Sequence, residues 1–208
     1  IRNTFKYKNL SLSFLIDASF GGSIFSNTNK TGRYTGVLES TLPGRDAEHG
    51  GLWYYIDNGN RVQISEPQYS IGDVGLYYAT VNGEQTRVYQ DGIIVEGVTE
   101  NGQVNTKVVS AENYYHRIYS IAEANVYDAS FVKLRELSLS YQFPKSIYSL
   151  IGLQGANVTF TARNLWTIHK KADNIDPEAA ITAGNAQGVE AYTLPTARTY
   201  GININVKF

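Results

Sequence analysis

The chain has 208 residues, 42% of them hydrophobic and 18% charged, which fits one or two folded domains and excludes disorder of the whole. Its 18 basic and 19 acidic side chains give a net charge of -1, so no electrostatic field attracts nucleic acid. Cysteine is absent, which excludes disulfides, thiolate metal sites and cysteine nucleophiles.

Membrane-spanning helices are excluded too, because no apolar run approaches the roughly 18 residues that such a helix needs. Barrel strands expose lipid-facing residues only at every second position, so the same test does not exclude a membrane barrel. The 16 tyrosines, 8 phenylalanines and 2 tryptophans fit the aromatic girdles of such barrels. Strand-like sequence begins almost at Ile1 without a secretory signal, so we expect the natural N-terminus to lie further upstream.

Alternation of apolar and polar residues is the main sequence signal of a strand, and it predicts five strands. Their approximate ranges are 3–8, 10–20, 131–143, 158–167 and 198–208. In the second strand, Leu10, Leu12 and Phe14 share one face, while Ser11 and Ser13 occupy the other. A tight turn joins this strand to the first.

The third predicted strand carries Lys133 and Arg135 on its apolar face. A charge in the middle of a membrane costs about 2–4 kcal/mol, so we expect these two residues at a headgroup boundary. Pro144 removes a backbone donor and ends the strand, and we predict a turn or short helix from there to Gly155.

The last predicted strand is the most regular. Tyr200, Ile202, Ile204 and Val206 alternate with polar residues, over about the ten residues that a tilted strand needs to cross the hydrocarbon layer. The apolar face ends in Phe208, which is our candidate signal for barrel assembly.

The lengths of the connections predict the direction of the strands. Bacterial barrels keep short turns on the periplasmic side and long loops outside. If the last strand runs inward, the connections near Asn9 and at 144–157 are periplasmic and short, while those at 22–130 and about 170–197 are outside and long. The sequence therefore predicts an all-β fold, an antiparallel transmembrane β-barrel, to which residues 1–208 contribute the C-terminal part with one long extracellular excursion.

The excursion at 22–130 is too long to lack structure. Its four hairpin signals are Asp57-Asn58-Gly59, Asn82-Gly83, Asp91-Gly92 and Asn101-Gly102. Ser110 is a suitable N-cap for a short helix over about 111–123.

Six aromatic residues of this excursion are candidates for contact with a ligand or a partner protein, because aromatic faces stack on sugar rings and anchor interfaces. They are Trp53, Tyr54, Tyr55, Tyr69, Tyr77 and Tyr78. The favoured alternative is that these rings form the core of the excursion, since a folded segment of that length needs apolar groups to bury.

Motifs spread over most of the chain occur in a specific order and spacing. They are Tyr7-Lys8-Asn9-Leu10-Ser11-Leu12-Ser13, the run from Tyr127 to Arg135, Leu139-Ser140-Tyr141 with Pro144, Ala162-Arg163-Asn164-Leu165, Asn174-Ile175-Asp176-Pro177-Glu178, Gly188-Val189-Glu190 with Leu194-Pro195, and the final strand. This set resembles the C-terminal part of the SusC/RagA family of TonB-dependent outer-membrane transporters, which is typical of Bacteroidota.

The resemblance implies a 22-stranded barrel whose N-terminal plug domain is not part of this chain. It also implies an outer-membrane nutrient importer driven by the TonB complex, which would act through the missing N-terminal part. A SusD-like surface lipoprotein would cover the barrel, the barrel-assembly machinery would insert it, and the cargo would be a glycan or an oligopeptide. The long loops would be extracellular, and no cofactor is implied.

Five polar residues would face the lumen of such a barrel or meet its plug. They are Glu136, Arg163, Asn203, Asn205 and Lys207. Packing and solvation against the plug are favoured for them over specific binding.

Catalytic and metal-binding patterns are absent from the sequence. His49, His116 and His169 are widely separated and have no cysteine partners for zinc. Asp176 and Glu178 lack the glycine-centred pattern of a calcium loop, and Pro177 between them is typical of a structural turn. A nucleophile elbow and a phosphate-binding loop are also missing, so we do not expect an enzyme.

Two alternatives remain open from the residues alone. A soluble carbohydrate-binding β-sandwich or barrel would show the same alternation, but it would bury the apolar face of the last strand against a second layer. An extracellular glycosidase would need two acids that converge in a cleft. Within the family, a receptor that also signals would need an N-terminal extension.

Overall fold

The computed structural model describes residues 1–72, 75–179, 184 and 187–208. The chain forms two compact units, which we call the sheet unit (Ile1–Thr28 and Val126–Phe208) and the insert unit (Asn29–Asn125). Strands predominate in the part of the chain that is described, so the predicted all-β class is confirmed at that level.

The strands are, in chain order, β1 Arg2–Tyr7, β2 Leu10–Ser19, β3 Ser23–Ser26, β4 Leu52–Asp57, β5 Asn60–Gln63, β6 Tyr69–Ile71, β7 Tyr77–Val81, β8 Glu84–Ile94, β9 Val108–Ser110, β10 Val126–Asp128, β11 Phe131–Gln142, β12 Gly155–Lys170, β13 Val189–Glu190 and β14 Thr199–Lys207. The α-helices are α1 Asn27–Tyr34, α2 Ala111–Tyr119 and α3 Lys145–Tyr148. Single 3-10 turns occur at Glu39–Thr41, Ala47–His49, Glu123–Asn125 and Ser149–Ile151.

The main sheet of the sheet unit has five antiparallel strands in the order β1-β2-β11-β12-β14. These strands lie at the five predicted positions, and the largest difference is that β12 begins three residues before the predicted range and continues to Lys170. Residues 144–155 contain the short helix α3, one of the two forms predicted there.

The register of this sheet aligns like residues with like across all five strands. One row of paired residues is apolar: Phe5, Leu12, Leu139, Phe160 and Ile202. The adjacent row is polar: Lys6, Ser11, Ser140, Thr159 and Asn203. Because neighbouring residues of a strand point to opposite faces, the sheet has one apolar face and one polar face.

Arg135 is an extra residue in β11, because its two neighbours pair with consecutive residues of β2. Such a bulge reverses the face on which the following side chains lie. Lys133 therefore lies opposite Asp17, on the polar face. The prediction that Lys133 occupies the apolar face is wrong, since it assumed unbroken alternation.

A small three-stranded sheet, in the order β10-β3-β13, also belongs to the sheet unit. Its core contains Ile24, Ala172 and Ile175, all buried, with Tyr127 and Ala129 packed against them. The segment after β12 is therefore held by apolar contacts as well as by polar ones.

The insert unit contains a sheet in the order β5-β4-β8-β7-β6, with β9 paired to β8. Two predicted hairpins are confirmed, because residues 58–59 connect β4 to β5 and residues 82–83 connect β7 to β8. Asn58 adopts the left-handed conformation, with a φ of 44°, that this type of turn requires. Residues 91–92 do not form the predicted turn, because both lie inside β8.

Ser110 caps helix α2 as predicted. Its hydroxyl oxygen accepts a hydrogen bond from the Asn113 backbone N–H at 3.4 Å. The helix ends at Tyr119, earlier than predicted, and a 3-10 turn follows at Glu123–Asn125. Tyr115 is buried, and its hydroxyl donates to the Pro43 carbonyl at 2.8 Å.

Candidate functional site

The apolar face of the main sheet is exposed along its last strand. Tyr200, Ile202, Ile204 and Val206 have 62%, 72%, 69% and 47% of their surface exposed. On the neighbouring strand, Phe160 is also exposed, and its ring stacks near that of Tyr200 with 6.3 Å between centroids. Burial of one such side chain stabilises a protein by about 1.5–3 kcal/mol, so a face of this kind calls for an apolar surrounding.

The opposite face is lined by hydroxyl and amide groups. Thr159 donates to the Ser140 hydroxyl at 2.9 Å, and Thr4 donates to that of Ser13 at 3.1 Å. Asn205, a candidate lumen residue, donates to the Asn157 side-chain oxygen at 3.1 Å. Side chains of this sort hydrogen-bond with each other and with water, and they carry no charge that would repel a cargo.

The register places all five predicted lumen residues on this polar face. Arg163 pairs with Glu136 across β12 and β11, and its Nε donates to the Glu136 carboxylate at 3.3 Å. Arg2 approaches the same carboxylate at 3.8 Å. These ion pairs are largely exposed, so each adds little to stability. That these residues line a lumen or meet a plug stays a prediction.

A buried ion network lies where β11 meets the segment that follows β12. The Lys133 side chain has only 4% of its surface exposed, and its Nζ donates to Asp176 and to Glu178, each at 2.5 Å. Arg135 also donates to Glu178, and its Nε donates to the Asp17 carboxylate at 3.0 Å. Two cations and three carboxylates thus join β2, β11 and the segment 176–178.

Asp176 holds this segment in a second direction as well. Its other carboxylate oxygen accepts hydrogen bonds from the Thr196 hydroxyl at 2.6 Å and from the Thr196 backbone N–H at 3.2 Å. Burial by itself raises the pKa of Asp176, but the bonds from Lys133 and Thr196 outweigh it, so the pKa lies well below its usual range. Asp176 is therefore ionised at every physiological pH.

The sequence pattern does not predict this network, because Asp176 and Glu178 are recognisable there only as possible calcium ligands. Asp176 and Glu178 are instead neutralised by the cations of β11. Within the described residues, no three histidine, aspartate or glutamate side chains converge in a way that could hold a metal ion. The missing signal was the bulge at Arg135, because regular alternation would have separated Lys133 from both acids.

Glu190 is a second buried carboxylate that fastens a loop. Its oxygens accept hydrogen bonds from the hydroxyls of Ser26 at 2.6 Å and Thr28 at 2.5 Å, and from the Thr193 backbone N–H at 3.2 Å. Burial alone raises the pKa of Glu190, but these donors lower it more strongly, so the group is held charged. The Gly188-Val189-Glu190 motif thus ties the end of β3 to the segment before β14.

The six candidate aromatic residues divide into buried and partly exposed ones. Trp53 has 5% of its surface exposed and packs with Ala79 and Val88 in the core of the insert unit. Tyr69 and Tyr77 lie against the Trp53 ring, at centroid distances of 5.0 and 5.6 Å. Trp53 therefore has the role in the core that the alternative interpretation gave it.

Tyr54 follows Trp53 in β4, so its side chain points to the opposite face of the sheet and lies apart from this group. Its ring stacks on Tyr89 at 5.1 Å, and its hydroxyl donates to Asp91 at 3.0 Å. Burial raises the pKa of Tyr54 to about 12. Tyr55 and Tyr78 are half-buried, whereas Tyr69 is exposed at the sheet edge. Contact of these rings with a ligand or a partner protein stays a prediction. Tyr69 is the most accessible of the six.

The three histidines lie in different environments. His49 Nδ1 is 2.7 Å from the Asp46 carboxylate, whose pKa the His49 contacts lower. The His116 ring stacks on Tyr34 with 4.0 Å between centroids. His169 is near the end of β12 and is exposed.

None of the helices formed by the described residues has the length and apolar character needed to cross a bilayer.

No family model matches the sequence. TonB-dependent receptor P3 from Formosa agariphila is 33% identical to this chain over 94 residues, which is 42% of this chain and 9% of that protein. A chain of the RagAB peptide importer in its 'closed-closed' state aligns with all of this chain and 28% of its own length, at 17% identity and a TM-score of 0.40. In the 'open-open' state the identity is 17% and the TM-score 0.37.

The chain thus spans less than a third of the length of these relatives. The match to the Formosa receptor agrees with the ordered motifs and confirms the predicted resemblance at the level of TonB-dependent receptors.

Proposed function

We propose that this chain forms the C-terminal part of the β-barrel of an outer-membrane importer that takes up a nutrient with energy from TonB. The observation that carries the proposal is the two-faced main sheet, with an exposed apolar face and a polar face of hydroxyl and amide groups. A lipid-facing exterior and a solvated lumen require this arrangement. A soluble β-sandwich would instead bury Ile202 and its neighbours.

The closed barrel is part of the same proposal. Strands β1 and β14 form the two edges of the five-stranded sheet, and every residue of both is exposed. Unpaired edges are avoided in membranes because each unsatisfied backbone group there is costly. Further strands of the whole protein would therefore pair with these edges, giving the 22 strands that the family resemblance implies around an N-terminal plug.

The orientation of the barrel follows from the lengths of its connections. The turn between β1 and β2 and the segment between β11 and β12 are the short ones and would face the periplasm. The insert unit and the segment 171–198 would lie outside the cell. Tyr69 and its neighbours would then be available to a SusD-like surface lipoprotein or to cargo.

The cargo would be a glycan or an oligopeptide, as the family resemblance implies. The polar face supports either one, because its hydroxyl and amide groups both donate and accept hydrogen bonds. The candidate lumen residues Glu136 and Arg163 neutralise each other, which favours passage of cargo without a strong net charge.

Uptake by cells that carry the full-length transporter tests this function. Cells would be given fluorescent oligosaccharides and oligopeptides, with cells lacking the gene as the control. We expect one cargo class to accumulate inside the outer membrane, and accumulation to stop when an uncoupler collapses the proton gradient. Recovery of the protein in the soluble fraction, with sugar binding unaffected by the uncoupler, would instead favour the carbohydrate-binding sandwich.

A further inference from the structure

One face of the sheet in the insert unit carries a continuous stack of two guanidinium groups and two aromatic rings. The rings of Tyr54 and Tyr89 lie nearly parallel, with 5.1 Å between centroids and 12° between planes. The guanidinium of Arg61 lies 5.7 Å from the Tyr54 centroid, and that of Arg87 lies 4.7 Å from the Tyr89 centroid. We call these four residues the Arg-Tyr stack. Because each guanidinium rests on a ring, both cations are held in place before any partner binds.

The Arg-Tyr stack has an excess of positive charge. Within the described ranges of the chain, neither arginine forms an ion pair, and the Nε of Arg61 is buried without a hydrogen-bond acceptor. Asp91 contacts the stack through Tyr54 instead, whose hydroxyl donates to its carboxylate at 3.0 Å. Two cations and one carboxylate leave a net positive charge, which favours a carboxylate supplied by another molecule.

The residues around the stack favour a protein partner over a sugar. Each ring of the stack faces the other ring and a guanidinium, which leaves little of its surface for stacking on a sugar. On the same face, Ile56 pairs with Arg61 and has 47% of its surface exposed, and the half-buried Tyr78 pairs with Arg87. Arginine and tyrosine beside an exposed aliphatic group are typical of the centre of a protein interface, which a polar rim surrounds. Exposed polar residues of this face provide such a rim: Gln63, Thr80 and Gln85.

We propose that this face of the insert unit binds an acidic surface of a second protein, with carboxylates on Arg61 and Arg87 and an apolar side chain on Ile56. A guanidinium that lies flat on a ring keeps N–H groups at its edge, and two of these match the two oxygens of a carboxylate. Tyr69 contacts Trp53, so it lies on the other side of the sheet and belongs to a different surface. Binding at the Arg-Tyr stack requires neither cargo nor transport.

Photo-crosslinking of the full-length protein in its native membrane tests this surface. A benzophenone-bearing residue would replace Gln63 or Gln85 at the rim, and mass spectrometry would identify the crosslinked segment. We expect a segment of a second protein that carries Asp or Glu. The crosslinking yield should fall at least about tenfold in the variant with Arg61→Gln and Arg87→Gln, because arginines at the centre of an interface carry much of its binding energy. It should also fall in about 1 M salt, where charges are screened beyond about 3 Å.

The matched control is Lys107→Gln with Arg117→Gln, two exposed cations of the insert unit that lie outside the strands of this sheet. This control should leave the crosslinking yield unchanged. Limited proteolysis of the insert unit checks that the double arginine variant stays folded. If it does not, Arg87→Gln alone repeats the measurement at an exposed position, where loss of the side chain leaves the core intact.

Several results would overturn the proposal: no crosslink to a second protein, a crosslink only to another segment of the same protein, a crosslinked segment without Asp or Glu, or an unchanged yield in a folded arginine variant. Binding of trigalacturonic acid that depends on both arginines, without any protein crosslink, would assign the face to an acidic sugar and would overturn it too. Uptake by cells with the unaltered protein tests the importer function separately, so a failure of one proposal is distinguishable from a failure of the other.

Discussion

Lys133 illustrates how one extra residue in a strand decides whether a charged side chain lies on the apolar or the polar face of a sheet. The bulge at Arg135 turns Lys133 from the apolar face to the polar one, where Asp176 and Glu178 surround its ammonium group. A buried cation of this kind is tolerated only with charged partners, because its desolvation alone costs several kcal/mol. The network therefore fixes the segment 176–178 against β11.

Replacing Lys133 by Met keeps the length of the side chain but leaves Asp176 without a cation. Breaking a buried ion pair in this way destabilises a protein by about 3–5 kcal/mol, and the bonds from Thr196 place the expected loss at the lower end. The temperature at which the full-length barrel loses its folded gel mobility measures the effect. Lys171→Met, which removes an exposed ion pair with Asp128, is the matched control and should change little.

The stability difference between Lys133→Met and the unaltered protein should also depend on pH, which gives a second check. The folded-state pKa of Asp176 lies below its unfolded value of about 3.9, so its stabilising effect is complete above that value and is lost as the pH falls through the folded pKa. The difference between Lys133→Met and the unaltered protein should stay constant from about pH 5 to 8 and shrink only below about pH 4. A change between pH 6 and 7 would contradict this assignment.

Among the elements, the strands of the main sheet were predictable because each carries its own alternation. The register of Phe5, Leu12 and Leu139 follows directly once one face is apolar. The bulge could not be predicted, since it depends on how β11 aligns with β2, which lies more than a hundred residues away in the chain. Asp91-Gly92 was mistaken for a turn, whereas Gly92 is buried inside β8, where a side chain would meet the Leu52 backbone.

The candidate site was predicted only in part, for a related reason. Asn205 and the other lumen residues follow from strand alternation alone, and the register places them on the polar face. The partners of both acids are distant in the chain: Lys133 of β11 reaches Asp176, and the small sheet β10-β3-β13 brings Ser26 to Glu190. Contacts of this kind leave no local pattern in a sequence.

In the insert unit, substitutions of Trp53 and Tyr69 should have different effects. Trp53→Ala opens a cavity in the core of that unit and should destabilise it by about 3–5 kcal/mol, because the ring is buried against Ala79 and Val88. Tyr69→Ala, at an exposed position of the sheet edge, should leave the unit folded but weaken retention of the SusD-like lipoprotein that we propose as a partner. Limited proteolysis of the full-length protein measures the first effect, and co-purification measures the second.

The opposite pattern would assign the roles differently. If Tyr69→Ala made the insert unit as sensitive to protease as Trp53→Ala does, the rings would form one core and Tyr69 would not be a contact residue. If neither substitution changed co-purification, the lipoprotein would bind elsewhere.

For the whole molecule, the two faces of the main sheet connect sequence pattern to location. The nine residues of β14 alternate between the faces, at about 3.3 Å per residue, which gives a tilted strand about the span of a bilayer's apolar layer. If the sheet lay wholly in water, the apolar face would be in unfavourable surroundings. If it lay wholly in lipid, the same would hold for the hydroxyl-lined face. A barrel wall gives each face the medium that it needs.

The central claim is that the apolar face meets lipid and the polar face meets water. It is tested most directly by spin labels at Ile202→Cys and Asn203→Cys of the full-length protein in membranes, with any cysteine outside residues 1–208 replaced; residues 1–208 contain none. Collision rates with oxygen, which concentrates in lipid, and with a water-soluble nickel chelate would be compared. The account predicts that the label at 202 is reached mainly by oxygen and the label at 203 mainly by the chelate. A label at 202 that is shielded from both reagents would contradict it, because that side chain would then lie in a protein core.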